Sequence, residues 1–324
     1  MRGKLWLGIG VSIVLLWVAF RGAHLDTIVQ NLRQVRTAWL VPVLVSLFVR
    51  FWLTAVRWRV LLRPAKRIGL HRLFGVTLIG FMANNVLPFR IGEFVRAYAL
   101  GRSESLAAPL SFATIVVERV FDGFTLLLFL VGGLSFLHPA PWLVWSAVVT
   151  FGLYAGVLVA LLSLKGERGA GLVARGLTWL PAGFRTPAGR LFESFRLGLD
   201  VLGDGRALVV TALLSLLIWI VNALGVQAMF AAFSLDLPPH AAFLLLATIA
   251  VALVVPSAPG YVGTFQAGTV AGLALFDVPK DTALSLSLVY HAINYVPITL
   301  VGLIYLGSLN LTLGELRAAG QGAS

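Results

Sequence analysis

Six apolar runs, at about 5–20, 38–62, 106–131, 141–164, 207–233 and 283–308, dominate this chain of 324 residues. A hydrocarbon core of about 30 Å takes roughly 20 helical residues to cross. Inside it no water satisfies the backbone, so each crossing segment must close its own hydrogen bonds as a helix. An all-α polytopic membrane protein is the expected fold, with the 324 residues forming a single membrane domain. Charged residues make up only 12% of the chain, where soluble domains carry about 25%. The start, "MRGKLWLGIGVSIVLLWVAFRGAHL", has no small-x-small cleavage site and leads into more membrane segments, so it reads as a retained first span.

The net charge of +12 does not point to nucleic acid, because the basic residues collect in short loops between apolar runs. That is where orientation determinants and contacts to anionic lipid belong. With no cysteine, disulfides and thiolate chemistry are excluded. His24, His71, His138, His240 and His291 show no metal-ligand spacing, and neither a metal nor a cofactor is expected.

Loop charges set the topology. Residues 57–72 hold Arg57, Arg59, Arg63, Lys66, Arg67 and Arg72 without an acid, and 165–206 hold seven Lys or Arg, so both are expected on the cytoplasmic side. The connections "GGLSFLHPAP" and "SLDLPP" have no Lys or Arg and suit the outer face. The connection 21–37 dissents, with Arg21, Arg33 and Arg36 on the outside, and reads as an interfacial amphipathic helix. Within 165–206, Leu191, Phe195, Leu199 and Leu202 fall near helical spacing and predict a solvated or interfacial helix on the inner membrane surface, with partner docking the alternative.

Two further apolar segments end in polar, Pro- and Gly-containing stretches. Parity requires the chain over 73–104 to enter and return on one side, and the same counting applies to 240–276. Both are expected to be re-entrant helical hairpins, turning at "NNVLPFRIGE" and "VPSAPGYVG". The two halves then read as an inverted repeat, 1–138 and 139–310, followed by a tail at 311–324, with both termini cytoplasmic. In such transporters, opposed broken helices meet near the midplane and form the site.

Polar side chains at this depth have two readings, a structural cap for broken helices or a substrate site. Asn84 and Asn85 suit either role, and Arg90, Glu93 and Arg96 follow on the first hairpin. Arg50, Glu118, Arg119 and Asp122 lie near the centres of their spans, where each unpaired charge costs roughly 2.5–3.5 kcal/mol. Glu118 and Asp122 share a helix face, Arg119 and Asp122 are i,i+3, and so are Glu93 and Arg96. Arg50 or Arg90 is the expected partner of Glu118 or Asp122, unless one arginine is left to meet an anionic headgroup. His291 and Asn294 in the last span are a packing pair or a proton-coupling site.

N-N-x-x-P-x-R-x-G-E-x-x-R at 84–96, E-R-x-x-D at 118–122, P-x-x-x-G at 259–263 and Y-H-x-x-N-Y at 290–295 resemble the lysylphosphatidylglycerol synthase transmembrane-region family. This is the flippase-like module also found at the N-terminus of multiple peptide resistance factors. The resemblance covers almost the whole chain and implies movement of phosphate-bearing lipids between leaflets. In those factors a soluble aminoacyl-transfer domain follows; this chain stops after "NLTLGELRAAGQGAS", so lipid synthesis is not expected of it. The family's second hairpin usually reads P-G-G-x-G-x-x-E, whereas here it is "PGYVGTFQ", with Gln266 in place of the acid. Loss of that carboxylate weighs against a lysyl-lipid cargo and toward a net-anionic phospholipid or a polyprenyl-phosphate-linked lipid.

The expected function is therefore a lipid translocase rather than an enzyme. Arg90 would hold phosphate, Asn84 and Asn85 would donate hydrogen bonds, and Gly260 and Gly263 would let backbone approach the cargo, with Arg96 and Gln266 alongside. No Walker motif is present, so direct ATP use is not expected. The alternatives are an accessory subunit presenting lipid to a separate lipid-modifying enzyme, and a membrane-embedded lipid phosphatase or transferase.

Overall fold

The computed structural model of the chain describes residues 2–134, 141–179 and 181–316, and all regular structure among them is helical. The first half runs α1 (Arg2–Phe20), α2 (Leu25–Arg33), α3 (Leu40–Leu62), α4 (Leu70–Val86), α5 (Gly92–Glu104) and α6 (Ala108–Leu134). It continues through α7 (Pro141–Lys165), α8 (Glu167–Leu177), α9 (Ala182–Gly198) and α10 (Gly205–Ala232) to α11 (Pro239–Ala252), α12 (Thr264–Ala274) and α13 (Lys280–Ser308). The connection containing His138 lies mostly outside the described residues, as does the tail beyond Leu316.

Four helical stretches are long and apolar enough to cross a membrane: Thr37–Leu62, Ala147–Lys165, Gly205–Ala232 and Lys280–Ser308. The first helix and α2, bent 83° apart, make a fifth if they count as one span. The six expected crossings are thus met only in part by length and apolarity. The sixth, α6, has 27 residues and a length of about 40 Å, but Glu118, Arg119 and Asp122 interrupt its apolar run.

The two Pro- and Gly-containing segments fold as helical hairpins. In the first, Asn84 Oδ1 accepts from the Gly92 N–H at 2.7 Å at the tip. At the base of the same hairpin Glu104 takes salt bridges from Lys66 (2.8 Å) and Arg72 (3.0 Å). In the second, a Cβ on Gly268 would lie 2.8–3.1 Å from Ala252, Ile249 and Thr248, so α11 and α12 pack directly. The base of the first hairpin touches the C-terminal end of α13, through His71 and Tyr305. That of the second runs into its N-terminal end, since only Leu275–Pro279 separate α12 from α13. With 29 residues, α13 is about 44 Å long, so the two bases lie at opposite ends of the bundle while the tips meet.

The antiparallel pairs that hold this frame are α3 with α10 and α4 with α13. Ser46 packs on Gly225, and the Arg36 N–H donates to the Ala232 carbonyl at 2.9 Å. Tyr305 fills the space beside Gly75, and a Cβ on Gly302 would lie 2.9 Å from the Leu78 carbonyl oxygen. The 165–206 stretch carries the expected helix and one more. It forms α8 and α9, and α9 seats Gly198 against Leu110 and Ala113 of α6. Leu199 is buried and Phe195 and Leu202 pack on the core, because the stripe faces protein; Leu191, Leu172 and Trp179 stay exposed.

The first hairpin depends on two facing glycines. A Cβ on Gly80 would lie 2.9 Å from the Gly92 carbonyl oxygen, and one on Gly92 would press on the Gly80 carbonyl and the Asn84 amide. Gly92→Ala should therefore force the arms apart and cost about 1–3 kcal/mol. Gly156→Ala, which meets nothing within 4 Å, should be neutral or slightly stabilising. Thermal unfolding of the two purified variants in detergent checks this; equal midpoints would show that the arms are not interlocked.

Candidate functional site

Helix periodicity aims Glu118 and Asp122 of α6 at the same neighbours. Arg57, on α3, meets both. Its Nη1 donates to Asp122 Oδ1 at 2.5 Å and its Nη2 to Oδ2 at 3.1 Å, a two-pronged contact, while Nη2 also reaches Glu118 Oε1 at 3.2 Å. Arg96 of α5 donates to the other Glu118 oxygen at 2.6 Å and lies 3.7 Å over the Trp58 ring. Arg119 pairs with Asp122 at 3.1 Å, and the Trp219 indole N–H donates to the same carboxylate at 3.1 Å. Ser215 Oγ accepts from Arg57 at 2.7 Å, which brings α10 into the cluster. Arg57 is 1% exposed and Glu118 fully buried, so each charge relies on the others rather than on water.

This corrects the sequence reading at four residues. Arg57 is not a loop charge: α3 runs on to Leu62, and Arg57 sits two turns from Arg50 within it. Neither Arg50 nor Arg90 is the partner of Glu118 or Asp122; Arg57 and Arg96 occupy Glu118, and Arg57 and Arg119 occupy Asp122. Arg96 therefore turns to Glu118 on α6 rather than to Glu93 on its own helix.

Beside the cluster lies a cavity of about 300 Å³. Polar groups on its wall include Arg50, Asn84, Asn85, Glu93, Arg119 and Asp122, with His291 and Asn294 from α13. Phe51, Phe81, Trp219, Tyr261, Tyr290 and Tyr295 supply aromatic surface. Arg50 donates to Asn294 Oδ1 at 3.2 Å and its guanidinium lies 4.7 Å over the Phe51 ring. Its Nε is buried without a hydrogen-bond partner.

The hairpin tips close one side of this cavity. Asn85 spans to α13, donating to Thr299 Oγ1 at 3.0 Å and the Tyr295 carbonyl at 3.3 Å. On the second tip the Gly263 N–H donates to Gln266 Oε1 at 2.8 Å. Gln266 Nε2 then faces His291 Nδ1 at 2.9 Å, and His291 Nε2 faces the Gly260 carbonyl at 2.7 Å. The tips touch where Arg90 donates to the Val255 carbonyl at 3.2 Å and its guanidinium lies 4.7 Å over the Tyr261 ring. Arg90 (φ 51°) and Tyr261 (φ 62°) both hold left-handed backbone, uncommon for side-chain-bearing residues.

Of the fourteen residues singled out from sequence, eight line the cavity: Arg50, Asn84, Asn85, Glu93, Arg119, Asp122, His291 and Asn294. Arg96 and Glu118 lie sealed behind it, and Arg90, Gly260, Gly263 and Gln266 build the tips. Arg57 was missed, although its i,i+7 relation to Arg50 marks a shared helix face. Trp219 and Asn222 carried no charge or motif to flag them, and Tyr290 stood in the Y-H-x-x-N-Y motif without being assigned a role. Among the described residues no group of three or more His, Asp or Glu is set to hold a metal ion.

Residues 5–302 match the family described as the lysylphosphatidylglycerol synthase TM region. A "UPF0104 membrane protein" of Methanothermobacter thermautotrophicus is 24% identical, over 95% of this chain and 96% of its own length. "UPF0104 membrane protein MJ1595" of Methanocaldococcus jannaschii is 25% identical, over 94% of each chain. "Glycosyltransferase AglD" of Haloferax volcanii is 28% identical over 85% of this chain, but only 49% of that protein is covered.

The cluster and Arg50 should respond oppositely to loss of charge. Arg57→Met strips Glu118 and Asp122 of a shared cation in a buried site and should cost about 3 kcal/mol or more. Arg50→Met, which leaves no carboxylate behind, should keep or raise the unfolding midpoint of the purified protein. Equal losses for the two variants would contradict the pairing described.

Proposed function

The chain belongs to the lysylphosphatidylglycerol synthase TM region family, and on that premise we propose that it is a membrane lipid translocase, of flippase or scramblase type. The cargo is a phosphate-bearing lipid, a net-anionic phospholipid or a polyprenyl-phosphate-linked precursor. One observation carries the reading: a charged cavity lies between two hairpins whose bases are at opposite ends of the bundle and whose tips touch. Polar backbone and charge at membrane depth belong beside a water-filled path or a cargo.

In this mechanism the headgroup occupies the cavity and the acyl chains remain in the bilayer. Four arginines (Arg50, Arg57, Arg96, Arg119) against three carboxylates (Glu93, Glu118, Asp122) leave an excess of one positive charge in and around it. That excess favours an anionic headgroup. The hairpins act as two half-partitions. Parting them on one side admits the headgroup and parting them on the other releases it, the alternating access of an inverted repeat over 1–138 and 139–310. Both termini face the cytoplasm in this arrangement, in the cell membrane, because the basic connections do. Movement is downhill, gradient-coupled or driven by a partner, for which a separate lipid-modifying enzyme is the natural candidate.

A second reading follows from the likeness to a protein named as a glycosyltransferase. In it the chain binds or presents a lipid-linked acceptor to sugar-transfer chemistry, or takes part in that chemistry. The two part on a single preparation. Purified protein in liposomes should exchange labelled phosphatidylglycerol or a labelled polyprenyl phosphate between leaflets far faster than protein-free vesicles do. Folded protein that leaves both lipids at the protein-free rate would overturn translocation, and transfer of sugar from an added nucleotide sugar to the polyprenyl phosphate by the same vesicles, with release of the nucleotide, would establish the second reading.

A further inference from the structure

We propose that Arg50, held by Asn294 against Phe51, is the anion-binding residue of the cavity, and that it takes the phosphate oxygens of a phosphodiester headgroup. The inference rests on the cavity being the cargo site and names the group within it that grips the cargo.

Of the four arginines at this depth, Arg57, Arg96 and Arg119 each face a carboxylate within 3.2 Å. Arg50 faces none among the described residues. A guanidinium has five N–H donors in a planar fork. For Arg50 only one contact is filled, the 3.2 Å bond to Asn294 Oδ1, and Nε is buried with no acceptor. Asn294 is fixed in turn, donating to the Tyr290 carbonyl at 2.9 Å. Phe51 supports the guanidinium, its ring centroid 4.7 Å from Cζ, and takes none of its N–H groups.

Both residues line the cavity. Of the carboxylates there, Asp122 is shared by Arg57 and Arg119, and Glu93, in the first turn of α5, forms no salt bridge with Arg50. An unpaired, oriented fork in a low-dielectric cavity fits two oxygens of a phosphate or carboxylate in parallel, a contact that a lysine does not reproduce. Arg90 is the competing candidate, but it does not line the cavity, and its guanidinium lies over the Tyr261 ring and donates to the Val255 carbonyl.

The test is ligand-induced stabilisation of the full chain in a neutral maltoside detergent, followed by tryptophan fluorescence on heating. The probes are inorganic phosphate, dihexanoyl-phosphatidylglycerol and, as a zwitterionic control, dihexanoyl-phosphatidylcholine. Phosphatidylglycerol should raise the unfolding midpoint saturably. Arg50→Gln should weaken its apparent affinity by about tenfold or more, the worth of a lost charged hydrogen-bond pair. Arg50→Lys should recover only part of it, and Arg90→Ala should bind as wild type does. A shift with inorganic phosphate as well assigns the site to the bare anion, and a shift with the lipid alone assigns it to the headgroup with its chains. Binding unchanged in both Arg50 variants, or no shift with either anionic probe in wild type, overturns the proposal. Should Arg50→Gln fail to fold, Arg50→Lys decides. Arg50-dependent binding without leaflet exchange would sink the translocase reading and leave this site standing; exchange with Arg50-independent binding would do the reverse.

Discussion

The ion cluster of Arg57, Arg96, Arg119, Glu118 and Asp122 is the constraint around which the rest of the bundle is arranged. It joins α3, α5 and α6 through salt bridges and α10 through Ser215 and Trp219. Any one of these charges alone near the bilayer centre would cost a few kcal/mol. Together they pair their charges, but only if the first hairpin is inserted deep enough for Arg96 to reach Glu118. The hairpin is thus fixed in depth by electrostatics as much as by packing. Gly80 and Gly92, which let its arms touch, are what bring Arg96 to that depth.

A broken helix leaves backbone donors without partners, and both tips answer with a side-chain amide. Asn84 caps Gly92 from the opposite arm, and Gln266 caps Gly263 from its own. Neither amide oxygen is free to meet a cargo in this conformation. Asn85 has a similar duty, since it ties the first tip to α13. The polar residues of the motifs therefore divide into those that make the tips possible and those that face the cavity. Arg50 and Glu93 are the charged members of the second group not consumed by the cluster.

Sequence carried the two hairpins clearly, because Pro and Gly interrupting an apolar run at 84–96 and 256–263 leave few other structures in a membrane. It also carried the α6 charges, whose i,i+4 spacing is read directly. It did not carry their partners. Arg57 lies in a string of basic residues that continues to Arg72, so charge counting assigns it to a loop, and only the extent of α3 in the structure returns it to the helix. Arg96 was legible as polar but not as aimed, since its nearest acid in sequence, Glu93, is not its partner. The same limit applies to α9, whose apolar stripe looks equally suited to lipid or to protein until α6 is seen beneath it.

Gln266 shows how one atom can alter what a site does. Its Oε1 is taken by the Gly263 N–H, so its Nε2 must face His291 and can only donate there. Nδ1 of His291 is then an acceptor, and the ring proton sits on Nε2, directed at the Gly260 carbonyl. A neutral imidazole thus satisfies every group in the chain from Gly263 to Gly260. A proton arriving at Nδ1 would meet an N–H donor and would have to displace the Gln266 amide, undoing the cap of α12. A carboxylate at this position could keep the cap and accept from a charged imidazole as well. With glutamine, uptake of a proton by His291 and an intact second tip compete, so any coupling through His291 has to act by opening the tip rather than by storing charge within it.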